Sequence, residues 1–483
     1  MTRTGHHIQF ILDGRLMSPN MQGDGPIKAD TSLLNYLRHI GHSSVKEGCG
    51  EGDCGACTVV IAELSDGVLH YKAINSCLVL LPMVHACQVI TAESLSSEKE
   101  GKIHLHPVQQ AMVDHHGSQC GYCTPGIVMS LFALWKDHPA VTTEILKHRL
   151  AGNLCRCTGY QPIIEAFMAL NDIPRKDHFT DSTDKIINGL NAIKEKSSDI
   201  IIQSAGIEYY KPGSLKAALQ LRSEHPDATI IGGATDVSVA VNKRKQNLKR
   251  VLDISALEEL KIIEKDETLI CLGSGISMEE LGKAIKDEFT ALHDIIMLFG
   301  SHQIRNLATP AGNIASASPI GDLLPVLMAY GCEVVLQNIE GKRTMPLEDF
   351  VSGYHETKLE KDELISAICL PLTRTDKLIR SYKISKRKDV DISSVSAAFS
   401  LYLKEDSVID EIKLFYGGMA ATVVKATEAE DFLKGKEWTE ENALKASGII
   451  RSELKPISDA RSGAKGRSIM AANLLIRFWE DSI

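Results

Sequence analysis

Eight cysteines in two spaced sets are where this sequence could do chemistry. The first set lies in EGCGEGDCGACTVV and the following NSC, giving Cys49-x4-Cys54-x2-Cys57 and, nineteen intervening residues later, Cys77. Cys-x4-Cys-x2-Cys with a distant fourth Cys is the plant-type 2Fe–2S ligation pattern. The interleaved Gly48, Gly50, Gly52 and Gly55 can take positive φ and bring backbone N–H groups to the sulfurs of a negatively charged cluster. A four-thiolate zinc site is the alternative, although zinc favours paired two-residue spacings and gains nothing from a glycine cradle. The second set lies in QCGYCTPG and GNLCRCTGY: Cys120-x2-Cys123, a gap of thirty-one residues, then Cys155-x-Cys157. Two short pairs meeting at one metal centre account for it. Zinc is a more serious alternative here, because Cys-x2-Cys is a common zinc half-site. Cys87, Cys271, Cys332 and Cys369 stand in apolar contexts and read as buried small hydrophobes.

Elements must hold these sets in place. Between the pairs of the second set, MSLFALWKDHP and TTEILKHRL carry apolar residues at helical spacing with Pro139 at the turn, so the pairs belong at helix ends in a small bundle. From 171 to 203 the chain turns polar and charge-rich without a sustained apolar face, which reads as a surface linker. Beyond it, IIGGATD places two glycines after an apolar strand-like run, where a backbone can approach phosphate oxygens or simply turn. The small-residue run from Ala308 to Gly321 suits a narrow slot for a diphosphate, with Asp322 able to accept from a ribose or adenine donor. From about 376 onward, strand patterns followed by helical stretches describe an α+β unit.

The 483 residues suggest about three domains, and a net charge of −9 offers no positive excess for a nucleic-acid backbone. No apolar run approaches the roughly 18 residues that span a membrane, and the N-terminus lacks the apolar core of a secretory signal, so a cytoplasmic protein is expected. Clustered thiols in a reducing compartment point to metal or redox chemistry rather than disulfides.

CGEGDCGACTV with its fourth Cys, QCGYCTPG and GNLCRCTGY resemble the two iron–sulfur domains of the xanthine dehydrogenase family of molybdenum hydroxylases, and IIGGATD with the Ala308–Gly321 run resembles that family's FAD-binding domain. The resemblance implies a multidomain α+β protein. Its parts are a ferredoxin-like (β-grasp) 2Fe–2S domain over 1–90, an all-α helical-bundle 2Fe–2S domain over 91–170, the linker 171–203, an α+β FAD-binding domain over 204–372, and a small α+β C-terminal flavoprotein domain over 376–483. Carried over residue by residue, it makes Cys49, Cys54, Cys57 and Cys77 ligands of one cluster and Cys120, Cys123, Cys155 and Cys157 ligands of the other. It makes Ile230, Ile231, Gly232, Gly233, Ala234, Thr235, Asp236 and Val237 the first flavin-binding loop, and Phe299, Thr309, Asp322, Ile365 and Lys383 further FAD contacts. Gln119 matches a family position near molybdopterin, Tyr354 one near the nicotinamide entry, and the loop Lys386–Asp391 one close to the flavin.

The same resemblance implies an electron-transfer subunit. Electrons from a molybdenum centre on a large partner subunit, in a heterotetramer of two small and two large chains, pass through two 2Fe–2S clusters to FAD and then to NAD as hypoxanthine or xanthine is oxidised to urate. No large molybdopterin domain follows before Ile483, and fusion of the iron–sulfur and FAD modules on one chain favours this assignment. A subunit for aldehyde or N-heterocycle oxidation and a zinc-stapled binding protein are the alternatives. Neither nucleic acid nor membrane is an expected partner.

Overall fold

The computed structural model describes residues 4–5, 7–23, 25–137, 140–196, 199–372 and 377–483. Pro139, expected at a turn, and Asp376, at the expected start of the last domain, lie outside the described residues. The chain forms a mixed α+β protein of several sheets, as the sequence predicts, and divides into two compact units. The first comprises Met1–Leu221, Asp227–Leu257 and Gly300–Ala308; the second comprises Arg222–Pro226, Glu258–Phe299 and Thr309–Ile483. The stretch 204–372 therefore contributes to both.

In the first unit a five-stranded sheet runs in the order Arg15–Met17, Phe10–Leu12, Gln88–Ile90, Thr58–Ser65, Val68–Asn75. Its strand Thr58–Ser65 is rich in β-branched residues and buried on both faces over Thr58–Ala62, so its side chains alternate between two cores. Val59 and Ile61 join the core with Leu33, Leu34 and Leu37 of the helix Leu33–His39. Val60 and Ala62 join the core with Ile127, Leu131 and Trp135 of the helix Thr124–Asp137. Helices Pro107–Asp114, Thr143–Leu150 and Gln161–Met168 complete that helical layer.

The segment expected to be a surface linker is largely helical. The helix Thr183–Lys196 buries Ile186, Leu190 and Ile193, one stripe at helical spacing, in the same core. Asp177, at the N-cap of the short helix before it, ties that stretch down: its carboxylate meets the His106 ring at 3.2 Å and the Lys136 ammonium at 3.0 Å. A second five-stranded sheet, Thr4–Gly5, Asp199–Ser204, Ile207–Lys211, Arg250–Asp253, Thr229–Ile231, carries the helix Thr235–Arg244 after its last strand.

The second unit holds an antiparallel five-stranded sheet in the order Ile263–Lys265, Leu269–Gly273, Leu364–Pro371, Glu333–Gln337, Lys342–Pro346. It also holds a four-stranded antiparallel sheet, Leu378–Ile384 to Val424–Lys425, whose Phe399, Leu414 and Tyr416 are buried with Leu475 and Phe478 of the helix Ala464–Glu480. Cys271 and Cys369, expected to be buried free thiols, face each other across two antiparallel strands and are disulfide-bonded. Cys332 is a free, buried thiol as expected. Among the described residues no helix is long and apolar enough to cross a membrane.

Candidate iron–sulfur and flavin sites

The loop from Gly48 to Cys57 runs into the strand Thr58–Ser65, and Cys77 sits on the single helical turn after Val68–Asn75, the strand paired with it. Strand pairing brings the last two thiols together: Cys57 Sγ and Cys77 Sγ are 3.4 Å apart and both are buried. Three of the four loop glycines adopt positive φ, Gly50, Gly52 and Gly55. Gly48 makes room instead, since a Cβ there would lie 2.7 Å from the Cys54 sulfur. The N–H groups of Glu51 and Asp53 donate to Cys49 Sγ at 3.5 and 3.3 Å, as expected of a loop built to cradle sulfur. The thiols act in twos. The hydrogen bond from Cys54 holds Cys49 down at about 5 and pushes Cys54 up, and the bond between Cys57 and Cys77 lowers the first and raises the second.

The second set also pairs. Cys123 immediately precedes the helix Thr124–Asp137, while Cys155 and Cys157 lie in the loop between the helices Thr143–Leu150 and Gln161–Met168. Burial, then its hydrogen bond with Cys155, pushes Cys123 up to about 12, and Cys157 is raised chiefly by its hydrogen bond with Cys120. The Tyr160 hydroxyl accepts from the Cys155 N–H at 2.8 Å, and the Thr158 hydroxyl lies 3.2 Å from Cys155 Sγ. Cys120 and Cys157 are exposed, as are Tyr122 and Leu154 beside them and Gln119 before them. Among the described residues, no three His, Cys, Asp or Glu side chains gather as ligands of a single ion. Thiols arranged in twos fit a two-iron cluster, in which each iron takes two protein ligands, better than a tetrahedral zinc site, which draws four to one ion.

The two sets are joined by backbone and by a buried amide. The Leu154 N–H donates to the Cys54 carbonyl at 3.0 Å. Asn153 donates to the Gly55 carbonyl at 3.2 Å and accepts from the Ser130 hydroxyl and the Gln303 amide, both at 2.7 Å. Asn306, on the same segment as Gln303, donates to the Ala73 carbonyl at 2.8 Å. Sequence reading missed these amides. In GNLCRC the cysteines carry the pattern, and nothing local marks Asn153 as the hub.

In the first unit, Ile230 and Ile231 end the strand Thr229–Ile231, Gly232 and Gly233 turn, Ala234 takes φ 56°, and Thr235, Asp236 and Val237 open the ten-residue helix Thr235–Arg244. The turn is tight, because a Cβ at Gly233 would lie 1.8 Å from the Leu307 carbonyl oxygen. A strand-to-helix turn of small residues presents free N–H groups to an anion.

The remaining flavin candidates lie in the second unit. Thr309 caps the helix Pro310–Ser316, its hydroxyl accepting from the Gly312 N–H at 3.0 Å, so half of the small-residue run is helical. Ile365 is buried in the strand Leu364–Pro371, and Phe299 ends the helix Thr290–Leu298 half-buried. Asp322 and Lys383 meet each other: Nζ lies 2.6 Å from Oδ2, and the Ser393 hydroxyl takes Oδ1. Tyr354 is exposed in the turn between two short strands. In the Lys386–Asp391 loop, the Arg387 guanidinium donates to the Val390 carbonyl and the Arg387 backbone N–H to the Asp391 carboxylate, so both groups close the loop itself.

Profiles of four domain families match the chain in succession: the 2Fe-2S iron-sulfur cluster binding domain over 26–89, the [2Fe-2S] binding domain over 91–168, the FAD binding domain in molybdopterin dehydrogenase over 195–373, and the CO dehydrogenase flavoprotein C-terminal domain over 380–482. That series defines an iron–sulfur flavoprotein. Among similar curated proteins, xanthine dehydrogenase of Emericella nidulans is 31% identical over 98% of this chain and 38% of its own length. Xanthine dehydrogenase of Oryza sativa subsp. japonica is 31% identical over 93% and 38%, and aldehyde oxidase 3 of Rattus norvegicus 29% over 94% and 38%. The chain thus spans little more than a third of these relatives. A carbon monoxide dehydrogenase chain from Hydrogenophaga pseudoflava shares the fold with a TM-score of 0.54 at 24% identity, over 56% of this chain and 95% of that one. The chain is thus an iron–sulfur/FAD region similar, over nearly its whole length, to part of the xanthine dehydrogenase family of molybdenum hydroxylases.

Proposed function

We propose that this chain is the electron-transfer subunit of a xanthine dehydrogenase. The observation that carries the reading is one compact unit holding two thiol quartets, each arranged in twos, joined through Leu154 and Cys54, together with the Gly232–Gly233 turn. Cys49, Cys54, Cys57 and Cys77 would hold one 2Fe–2S cluster and Cys120, Cys123, Cys155 and Cys157 the other. The turn Ile230–Val237 would hold the diphosphate of FAD through its N–H groups, with Phe299, Thr309, Asp322, Ile365 and Lys383 as the contacts that the family resemblance assigns in the second unit. When bound, the clusters carry single electrons and FAD pairs them for delivery to NAD. The protein's part is to hold the sulfurs, to aim N–H groups at them and to bury Cys57 and Cys77 of the first quartet while leaving Cys120 and Cys157 of the second at the surface. The exposed edge at Cys120, Cys157, Tyr122 and Leu154 supports entry of electrons there, from a molybdopterin centre on a large partner subunit in a cytoplasmic heterotetramer of two small and two large chains. The substrate would be hypoxanthine or xanthine. Aldehyde oxidation by the same arrangement is the second reading, supported by the similarity to aldehyde oxidase 3.

Assay of anaerobically purified protein tests the reading: four irons, four acid-labile sulfides and one FAD per chain are expected. Stoichiometric zinc without sulfide overturns it. In electron paramagnetic resonance of the reduced protein, Cys54→Ser should remove one signal and Cys155→Ser the other. The chain without a molybdenum partner should oxidise NADH with an artificial acceptor and leave xanthine untouched, whereas the complex should oxidise xanthine; activity on aldehydes alone would favour the second reading.

A further inference from the structure

We propose that Asn242 is a positioning residue that sets the reduction potential of the first cluster, an inference resting on the reading of Cys49, Cys54, Cys57 and Cys77 as its ligands. Asn242 lies on the helix Thr235–Arg244, two turns beyond the Gly232–Gly233 turn. Its side-chain amide donates to two backbone carbonyls, Gly50 at 3.0 Å and Cys77 at 2.8 Å. Those carbonyls stand on the two separate chain segments that supply the quartet, the glycine loop and the turn after Val68–Asn75. One amide therefore clamps both halves. One helical turn earlier, Ser238 donates to the Leu78 carbonyl at 2.8 Å, so the same helix face grips the Cys77 turn twice.

The Gly50 contact reaches a sulfur through a single peptide. The carbonyl of Gly50 and the N–H of Glu51 belong to the same planar unit, and that N–H donates to Cys49 Sγ at 3.5 Å. A donor on the carbonyl oxygen polarises the peptide and makes its N–H a stronger donor at the far end. Asn242 thus strengthens a hydrogen bond to a thiolate ligand without touching it. Hydrogen bonds to the sulfurs favour the more negative, reduced form and raise the potential. The amide also places two N–H dipoles near added negative charge, which acts in the same direction.

The test is a redox titration followed by electron paramagnetic resonance of the full chain with its cofactors, comparing wild type with Asn242→Asp and Asn242→Leu. Asn242→Asp keeps the shape but turns an acceptor towards one or both carbonyls; Asn242→Leu removes both donors. Reduction of the first cluster should become about tenfold less favourable in Asn242→Leu, a shift of about 59 mV for a one-electron couple, and still less favourable in Asn242→Asp. The second cluster's potential should not move. Loss of the first signal alone in both variants also supports the clamp. Unchanged potentials, or equal shifts of both clusters, overturn the inference. A wild-type protein lacking two cluster signals would instead overturn the functional reading on which it stands.

Discussion

Leu154 and Cys54 share a backbone hydrogen bond of 3.0 Å, each within one residue of or at a predicted ligand of a different quartet. The bond holds because Asn153, buried beside it, satisfies Gly55 while taking donors from Ser130 and Gln303. Replacing Asn153 by Leu takes one donor from the Gly55 carbonyl, which keeps the Thr58 N–H and hydroxyl, and one acceptor from the Ser130 hydroxyl and the Gln303 amide, which keep each other. Lost hydrogen bonds of this kind are worth about 0.5–1.5 kcal/mol each. Asn153→Leu should therefore lower stability by about 1–3 kcal/mol, read as a lower urea midpoint at unchanged slope. Adding Gln303→Leu should cost less than the sum of the two single changes, because both remove the same contact. Additive losses would show that the amides act independently.

The Gly233 turn yields a prediction for the flavin. A methyl group there would lie 1.8 Å from the Leu307 carbonyl oxygen, which is backbone and cannot swing aside. Gly233→Ala should displace the strand-to-helix turn and cut bound FAD at least about tenfold, equivalent to about 1.4 kcal/mol of affinity, while iron and sulfide content stay at wild-type levels. Absorbance after gel filtration measures both. Full flavin retention would place the diphosphate elsewhere.

What the sequence made legible was local. Cys-x4-Cys-x2-Cys is a pattern of neighbours, and the glycines between them announce the close backbone approach that the structure shows. Contacts set by tertiary packing were not legible. Gln303 meets Asn153 across 150 residues, and Cys271 meets Cys369 only because two antiparallel strands share a register. The helix Thr183–Lys196 escaped because its apolar stripe of Ile186, Leu190 and Ile193 is diluted by Lys, Asp and Asn on its other faces, while burial against an existing core, rather than composition, is what stabilises it. Asp322 and Lys383 stand 61 residues apart in the sequence, and no local feature reveals that they face each other.

That ion pair carries its own expectation. Lys383 and Asp322 side chains are 1% and 8% exposed, and Lys383 also donates to the Leu298 carbonyl at 3.1 Å. Removing one partner of a buried pair strands the other, at about 3–5 kcal/mol. Lys383→Met should destabilise the second unit by that order, and Lys383→Met with Asp322→Asn should recover most of the loss in a denaturation double-mutant cycle. Failure of the double variant to recover would mean that Asp322 draws its stabilisation from Ser393 instead.

Glu430 gives the second unit a pH dependence of known sign. Burial pushes its carboxyl up to about 7 from an ordinary value of 4.5, against the Leu414 N–H that donates to it at 2.6 Å and the Lys425 ammonium 3.6 Å away. A raised folded value means that the native state binds the proton more tightly than the unfolded chain. The resulting stability is fully present below about 4.5, falls as the unfolded chain ionises first, and is lost above about 7. Glu430→Gln keeps an acceptor for Leu414 and removes the charge. It should flatten this part of the stability profile between those limits and stabilise the protein at pH ~8 by about 1–2 kcal/mol, less than the full linkage because the site is not completely closed to water. Urea midpoints of wild type and variant across that range decide the matter. Parallel profiles would show that the Glu430 carboxyl ionises as freely in the fold as in the unfolded chain.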